Sequence, residues 1–424
     1  MYLRGSKWSM NKRRVKPNWF RIILLILLVV GATYVNEVII PTQPQYGVPS
    51  PTITRSPESF VSEAEDYFNQ GKLLQSIGAY KQAIIVRPDD PTTHIALAKV
   101  QVWAGQYEDA QTSAEDALLL NNNNAMAYAV LAWAQDFQGD YLAATTNIQR
   151  SLELDPQNAI AYAYYTEILL DSDGDIETAI EASRKAIELG PDKIETHRAR
   201  GLIFEAVGDY QEAITEYQAA IAINDKIPNL YLSLGINYRI LEYYPEAETA
   251  FTTANALNPQ DPTPDLYLSR MYATLGQFGK ARQYAETAVT DSPADTNLRG
   301  NYGVMLYRDA YWNESVKELA YVVNGGVTEN GDQLRPMDLA PGLPRIAEYY
   351  FTYGLVLSRL NQCGDALRIA QLIQSRIPAD ELAMDNANQI VQRSQQSLDS
   401  PPPTDTEPAP VSTNVPTLEV TPTP

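Results

Sequence analysis

The sequence predicts an all-α solenoid, a stack of similar helical hairpins, and three residue series in one register point to it. Gly71, Gly105 and Gly139 lie 34 residues apart, and alanines and prolines recur with the same period. Glycine suits the left-handed turn that ends a helix, and proline disfavours helix for the residue before it. One such hairpin cannot bury its apolar stripe alone, so neighbouring hairpins must stack. The alanines are Ala110, Ala144, Ala213, Ala247 and Ala281, and the prolines are Pro88, Pro156, Pro191, Pro259, Pro293 and Pro378.

The third repeat, residues 125–158, shows how one unit is built. Its first helix has a packing stripe at repeat positions 4, 7, 8 and 11, which hold Tyr128, Leu131, Ala132 and Gln135. Its second helix has a matching stripe at positions 17, 20, 24 and 27, which hold Tyr141, Ala144, Ile148 and Ser151. The small residues at positions 8 and 20 let the two helices approach closely.

The remaining units follow the same template with few departures. The fourth repeat has 35 residues, and the eighth replaces the glycine and the alanine by Ala310 and Ser315. An insert at 330–346 breaks the period, and we expect it to be dispensable for folding because long loops cost little closure entropy. Residues 381–398 predict a solvating cap helix. The repeats span 57–90, 91–124, 125–158, 159–193, 194–227, 228–261, 262–295, 296–329 and 347–380.

This pattern resembles the tetratricopeptide-repeat family, and the resemblance covers residues 57–380 of the 424. It implies a right-handed superhelical solenoid of about nine hairpins plus the cap helix. At ~100° per residue, positions 2, 5, 9, 12 and 13 of each first helix lie opposite the packing stripe. In the family that face, here named the groove face, lines a concave peptide-binding groove. The family's clamp for a carboxyl terminus needs lysine and asparagine where this chain has Val61 and Glu65, so that clamp is absent.

Two kinds of side chain collect on the groove face. The early repeats place large apolar groups there, which we expect to be exposed for binding: Trp103, Trp133 and Phe137. The later repeats place five arginines there: Arg198, Arg239, Arg270, Arg308 and Arg359. Because arginine suits bidentate contact with carboxylates, we expect a partner polypeptide with an apolar part and an acidic part. The alternative is that the arginines offset helix dipoles or pair with glutamates of adjacent repeats.

The amino-terminal region predicts a membrane anchor. Residues 1–21 hold seven basic residues and no acidic one, and residues 22–40 are nearly uncharged and about long enough to cross a bilayer core of ~30 Å. The positive-inside rule then keeps 1–21 cytoplasmic, makes 22–40 a single-pass signal-anchor, and places the repeats outside. The alternative is export after cleavage near Ala32. Residues 41–57 predict a proline-rich linker, and residues 399–424 a disordered proline- and threonine-rich tail.

Composition excludes several classes of function. The formal net charge is −20. Because a protein that binds nucleic acid must supply cations to the phosphates, we expect no nucleic-acid partner. The single cysteine, Cys363, falls on packing position 17, and the only two histidines, His94 and His197, fall on packing position 4. We therefore expect no catalytic residues, no metal site and no cofactor. The sequence favours a tethered scaffold that binds polypeptides, with a regulatory or targeting subunit of an envelope enzyme complex, or a structural spacer, as alternatives.

The predicted topology is tested by protease accessibility. Protease added to intact spheroplasts should digest the repeats, because they lie on the outer side of the membrane if the basic residues stay inside. A cytoplasmic marker protein must survive the same treatment and disappear once the membrane is permeabilised. Repeats that resist protease in intact spheroplasts would contradict the topology.

Overall fold

A computed structural model describes residues 19–35, 55–172 and 174–399 of the chain. It divides the chain into two units, residues 1–56 and residues 57–424. Most of the predicted basic segment (to residue 18), most of the predicted linker (41–54) and the tail from residue 400 lie outside the described residues.

The first unit contains one described helix, α1 (Trp19–Tyr34), of 16 residues. Its sequence is apolar apart from Arg21, and it covers the first part of the predicted anchor. Residues 36–40, the end of that predicted span, lie outside the described part of the chain. Among the described helices, none combines the length and the apolar character needed to span a membrane.

The second unit consists of helical hairpins that follow one another along the chain. Nine hairpins lie within the described residues, and a last helix, α20 (Glu381–Asp399), packs on the ninth. The hairpins are α2 (Pro57–Asn69) with α3 (Leu73–Val86), α4 (Pro91–Trp103) with α5 (Tyr107–Leu120), α6 (Ala125–Phe137) with α7 (Tyr141–Leu154), α8 (Ala159–Asp171) with α9 (Ile176–Leu189), α10 (Ile194–Ala206) with α11 (Tyr210–Ile223), α12 (Pro228–Ile240) with α13 (Tyr244–Leu257), α14 (Thr263–Thr274) with α15 (Phe278–Asp291), α16 (Thr296–Arg308) with α17 (Trp312–Asn324), and α18 (Pro344–Arg359) with α19 (Cys363–Arg376).

The turn between the two helices of a hairpin keeps a left-handed residue even where glycine is missing. Gly139 has a φ of 76°, as a turn of this kind requires. The sequence puts Glu242, Ala310 and Asn361 at the same place in other repeats, and their φ angles are 63°, 64° and 58°. A side chain there costs about 1–2 kcal/mol. Packing of the two helices therefore dictates the turn, and the local residue preference yields to it.

Close approach of the paired helices explains the small residues at repeat position 8. A Cβ atom added to Gly201 would lie 2.8 Å from the Tyr217 ring, and one added to Gly235 would lie 2.7 Å from the Phe251 ring. Both rings are buried and belong to the second helix of the same hairpin. A large residue at position 8 would therefore push the hairpin apart.

The insert after the eighth repeat packs into the array, contrary to the expectation that it is dispensable. Strand β2 (Gln333–Leu334) of the insert pairs antiparallel with β1 (Gly326–Val327), which lies at the end of the eighth repeat. Leu334 is 4% exposed, and Leu339 is 6% exposed and belongs to the core of the last repeats. The Tyr350 hydroxyl donates a hydrogen bond of 2.7 Å to the Met337 carbonyl. Apolar side chains inside the insert outweigh its glycine- and proline-rich composition.

Replacing Leu339 by alanine should destabilise the chain. Deleting a buried leucine side chain costs about 2–5 kcal/mol, because transfer energy is lost and a cavity remains. The measurement is the free energy of unfolding from denaturant titration. Leu343→Ala is the matched control, since Leu343 lies in the same segment but is 43% exposed. Equal effects of the two substitutions would contradict the packing of the insert.

Candidate interaction surface

The groove face of the early repeats is occupied by its own side chains around Arg198. The Arg198 guanidinium carbon lies 5.1 Å from the Trp103 ring centroid, 5.2 Å from that of Trp133 and 5.9 Å from that of Phe137. A cation over an aromatic face is attracted by the ring quadrupole, more strongly where water is excluded. The structure thus joins four predicted site residues from repeats two, three and five.

A buried carboxylate anchors this arrangement. Glu167 accepts a hydrogen bond from Arg198 Nη2, and its Oε2 also accepts one of 2.9 Å from the Trp133 indole. The Trp133 ring stacks on Tyr164 at 4.3 Å and meets the Trp103 ring edge-on at 5.1 Å. Together with Phe137, these five side chains form what is here named the central cluster: Trp103, Trp133, Phe137, Tyr164, Glu167 and Arg198.

A second contact joins repeats two and five, as the contact of Arg198 with Trp103 does. Lys99 Nζ in repeat two lies 2.6 Å from Glu195 Oε1 in repeat five, and the Glu195 side chain is almost fully buried. The Lys99 ammonium holds the pKa of Glu195 below its usual range although burial opposes this. In an open solenoid each repeat contacts only its neighbours. The early part of the groove is therefore closed by contacts between repeats two and five.

The expected exposure of the two tryptophans is wrong. Trp133 has no exposed surface and Trp103 is 6% exposed, whereas Phe137 is 37% exposed. Their positions on the groove face follow from helical periodicity, but Arg198 covers them from across the groove. Arg198 likewise fits the alternative interpretation, since it pairs with a glutamate of the adjacent repeat. Trp103, Trp133 and Arg198 therefore stabilise the array and do not offer a free surface, whereas Phe137 remains partly exposed.

Two further carboxyl groups lie beside the central cluster. Asp136 is buried, and burial together with the nearby charges of Asp171 and Glu167 raises its pKa to about 8. Burial also raises the pKa of Glu167 to about 7, against the opposing effect of Arg198. As an ionised group, Asp136 would leave both oxygens buried without a hydrogen-bond donor. A protonated Asp136 would instead have a hydroxyl that can donate to the neighbouring Asp171 carboxylate.

The arginines of repeats six and seven lie against neutral groups. The Arg239 guanidinium lies 5.6 Å from the Tyr267 ring centroid, and its Nε is buried without a hydrogen-bond partner. Arg270 Nε donates to Asn301 Oδ1 at 3.4 Å. Burial and the positive charge of Arg345 lower the pKa of Arg270. Within the described residues, neither arginine has a carboxylate at salt-bridge distance.

The arginines of repeats eight and nine differ from each other. Arg308 Nη2 lies 2.9 Å from Glu348 Oε1, yet its side chain remains 41% exposed. Arg359 Nε donates to the Tyr307 hydroxyl at 3.2 Å, and its guanidinium covers the rings of Tyr307 and Trp312 at 5.4 and 5.3 Å. No carboxylate in the described part of the chain pairs with Arg359. Pairing with a glutamate thus holds for Arg308 but not for Arg359, whereas both lie in the last turn of their helices, where a cation offsets the helix dipole as the alternative interpretation expects.

The last repeats carry an open surface that the repeat pattern only partly indicated. Two clefts, of about 630 and 530 Å³, share Tyr307 and Leu355 in their linings and are together named the C-terminal trough. Besides Arg308 and Arg359 it is lined by Arg345 and Arg393. Sequence reasoning missed both, because Arg345 fell in the insert and Arg393 in a helix interpreted only as a cap. The proline at residue 344, typical of a first helical position, was the available signal for Arg345.

The titratable side chains outside these clusters have structural contacts. His197 Nδ1 lies 2.7 Å from Glu216 Oε2, and its Nε2 lies 2.9 Å from the Pro191 carbonyl oxygen. His94 Nε2 lies 3.3 Å from the Pro88 carbonyl oxygen, and Cys363 is buried. Among the described residues, no group of three or more histidine, cysteine or acidic side chains is arranged to hold a metal ion.

Comparison with known proteins identifies the repeats. Models of the tetratricopeptide repeat match residues 67–134, 129–194, 168–228 and 232–296, which together exceed half of the chain. No curated protein sequence matches significantly.

Solved structures of the same fold agree with the predicted all-α solenoid. The chain is similar to the APC/C hetero-tetramer Cut9-Hcn1 (TM-score 0.54, 12% identity, 86% of this chain and 82% of that chain). It is also similar to the human IFIT1 dimer with PPP-AAAA (TM-score 0.52, 14% identity, 81% and 83%). PilW, a widely conserved type IV pilus biogenesis factor, has a TM-score of 0.43 and 21% identity over 47% of this chain and 91% of its own. At 12% and 14% identity, the likeness to the first two structures shows the fold alone.

Replacing Asp136 by asparagine should change how stability depends on pH. Folding raises the pKa of Asp136 from an ordinary value of about 4 to about 8. Between these values the unfolded chain binds fewer protons at this group, so stability falls as the pH rises. The neutral amide removes this loss. The thermal midpoint of Asp136→Asn should therefore exceed that of the unchanged chain at pH 9, and the gain should shrink toward pH 4.

The matched control for this prediction is Asp66→Asn, because Asp66 is exposed. Its midpoint should follow that of the unchanged chain at every pH. A gain for Asp136→Asn that is the same at pH 4 and pH 9 would contradict a protonated Asp136 in the folded chain.

Proposed function

Because the chain belongs to the tetratricopeptide-repeat family, we propose that it is a membrane-tethered scaffold that binds polypeptide partners on the groove face of its last repeats. Arrays of this kind offer extended surfaces to other proteins. The proposal assigns no reaction to the chain itself, since its titratable clusters are explained by packing and pairing.

One observation carries the proposal: three of the five predicted arginines have no carboxylate partner within the described residues. They are Arg239, Arg270 and Arg359. The chain has 52 acidic residues against 32 basic ones, so an internal carboxylate was readily available to each of them. Of the three, Arg359 lines the C-terminal trough, and its guanidinium N–H groups other than Nε–H are donors for a ligand there.

The supported binding surface is narrower than the sequence suggested. The central cluster closes the early repeats, so the apolar part of a partner has no access to Trp103 or Trp133. The C-terminal trough instead offers Leu382, which is 65% exposed, beside partly buried Phe351 and Leu355. The apolar and cationic groups expected at opposite ends of the groove thus occur together at one end.

Tethering is the second part of the proposal. It is supported by the basic residues that precede the apolar segment. By the positive-inside rule, this order would leave the repeats on the far side of the membrane. A tethered array would hold its partners at the membrane surface. A regulatory or targeting subunit of an envelope enzyme complex remains the runner-up, and the identity of the partner distinguishes the two.

Site-specific photo-crosslinking tests the proposed binding surface. A photoreactive phenylalanine analogue is placed at Gln389, which lines the C-terminal trough, or at Gln371, which is exposed on the second helix α19. Cells are irradiated, and crosslinked proteins are counted after purification of the full-length chain. The proposal expects a discrete partner band from Gln389 and none from Gln371. Equal crosslinking from both positions, or none from either, would contradict a dedicated groove-face site.

A further inference from the structure

The C-terminal trough is built from three helices that the fold holds together. Its walls come from α16, α18 and α20, the first helices of the last two repeats and the terminal helix. Tyr307 and Leu355 line both clefts, so they mark the centre of the trough. Rigid helices on all sides make the lining side chains a preformed surface.

The centre of the trough is apolar. Around Tyr307 and Leu355 lie Val304, Phe351 and Leu382. Leu382 is mostly exposed although it begins the helix that closes the array. A leucine, a phenylalanine and a tyrosine around one depression provide a site where an inserted apolar side chain loses water on most of its surface.

The two ends of the trough are positively charged. At one end Arg308 and Arg345 share a single carboxylate, Glu348, at 2.9 and 2.5 Å. At the other end lie Arg359 and Arg393, with no carboxylate at salt-bridge distance among the described residues, beside the amides of Gln389, Gln392 and Gln396. Each end therefore keeps an excess positive charge in a chain whose formal net charge is −20.

The separation of the two ends follows from the helix that connects them. Arg345 and Arg359 are both on α18 and lie 14 residues apart in the sequence. At 1.5 Å per residue this is about 21 Å along the helix axis. An extended peptide rises about 3.3 Å per residue, so about six residues bridge the two ends.

We infer that the C-terminal trough binds an extended polypeptide segment of a partner protein in which one or two large apolar residues are flanked on both sides by acidic residues. The apolar side chains fill the centre, and the acidic groups meet Arg308 and Arg345 at one end and Arg359 and Arg393 at the other. This inference rests on the proposed scaffold function and names the chemistry of its partner. Charge complementarity carries it, because the two ends of the trough are cationic whereas the chain as a whole is net acidic.

A synthetic peptide tests the inference directly. The probe is a fluorescein-labelled peptide with two glutamates at each end of a six-residue spacer, phenylalanine and leucine at the spacer's centre, and glycine and serine elsewhere. Its affinity for the full-length chain is measured by fluorescence polarisation. Replacing the glutamates by lysines, or the two apolar residues by serines, should each weaken binding about tenfold or more, since each removes roughly 1.4 kcal/mol or more of contact energy. Binding should also weaken as salt increases.

Variants of the chain separate the two ends from the centre. Arg393→Glu and Leu382→Ser should each weaken binding of the probe about tenfold, and both residues are exposed enough to be replaced without loss of folding. Arg368→Glu is the matched control, since Arg368 is exposed on α19 and pairs only with its neighbour Asp365. Unchanged affinity in Arg393→Glu, or equal binding of the lysine peptide, would overturn the inference.

The chain's own acidic tail is the competing occupant, because residues 400–424 follow α20 and hold three acidic and no basic residues. Binding of the probe to a chain that ends at Asp399, and therefore lacks the tail, is compared with binding to the full-length chain. Equal affinity of both chains for the probe supports a partner protein, whereas binding only by the shortened chain would overturn it in favour of the tail. If groove-face crosslinking at Gln389 succeeds and the peptide fails, the scaffold function stands and the proposed partner chemistry is wrong.

Discussion

Contact between repeats two and five is the constraint on which the rest of the array depends. Arg198 reaches across the groove to the rings of Trp103 and Trp133, and Lys99 pairs with Glu195 alongside. Repeat arrays are usually sums of neighbour contacts, so their early and late parts are physically alike. Here the cross-groove contacts make the early repeats a filled, rigid segment. The C-terminal trough, by contrast, is an open part of the groove face.

The two ends of the array handle charge in opposite ways. The early repeats bury carboxyl groups, and the raised pKa of Asp136 and of Glu167 shows the cost of removing them from water. One arginine, Arg198, offsets part of that cost by pairing with Glu167, and it is therefore not free to bind a partner. Within the described residues, Arg359 of the ninth repeat and Arg393 of the terminal helix have no carboxylate at salt-bridge distance, although the chain is rich in acidic residues. A cation that the fold does not neutralise is the feature that distinguishes a binding surface from a packing one.

Local features of this fold could be predicted from the sequence, and long-range ones could not. The period, the turn residues and the small position filled by Gly201 act within one hairpin, so a single repeat contains the information. Burial of Trp133 depends on how far the array curves over three repeats. That curvature is the sum of small rotations between repeats, which cannot be read from the sequence of any one repeat. The packing of Leu339 and the placement of Arg345 also escaped, because both lie outside the repeat register.

The most direct test of this account is a double-mutant cycle between Lys99→Ala and Glu195→Ala, measured as free energies of unfolding. Residues in contact show coupling energies of about 0.5–3 kcal/mol, whereas residues in distant repeats of an open array are additive. A closed early groove predicts a coupling of about 1 kcal/mol or more in favour of the native pair. Additivity within about 0.3 kcal/mol would show that repeats two and five do not meet. The distinction between a filled early half and an open late half would then be lost.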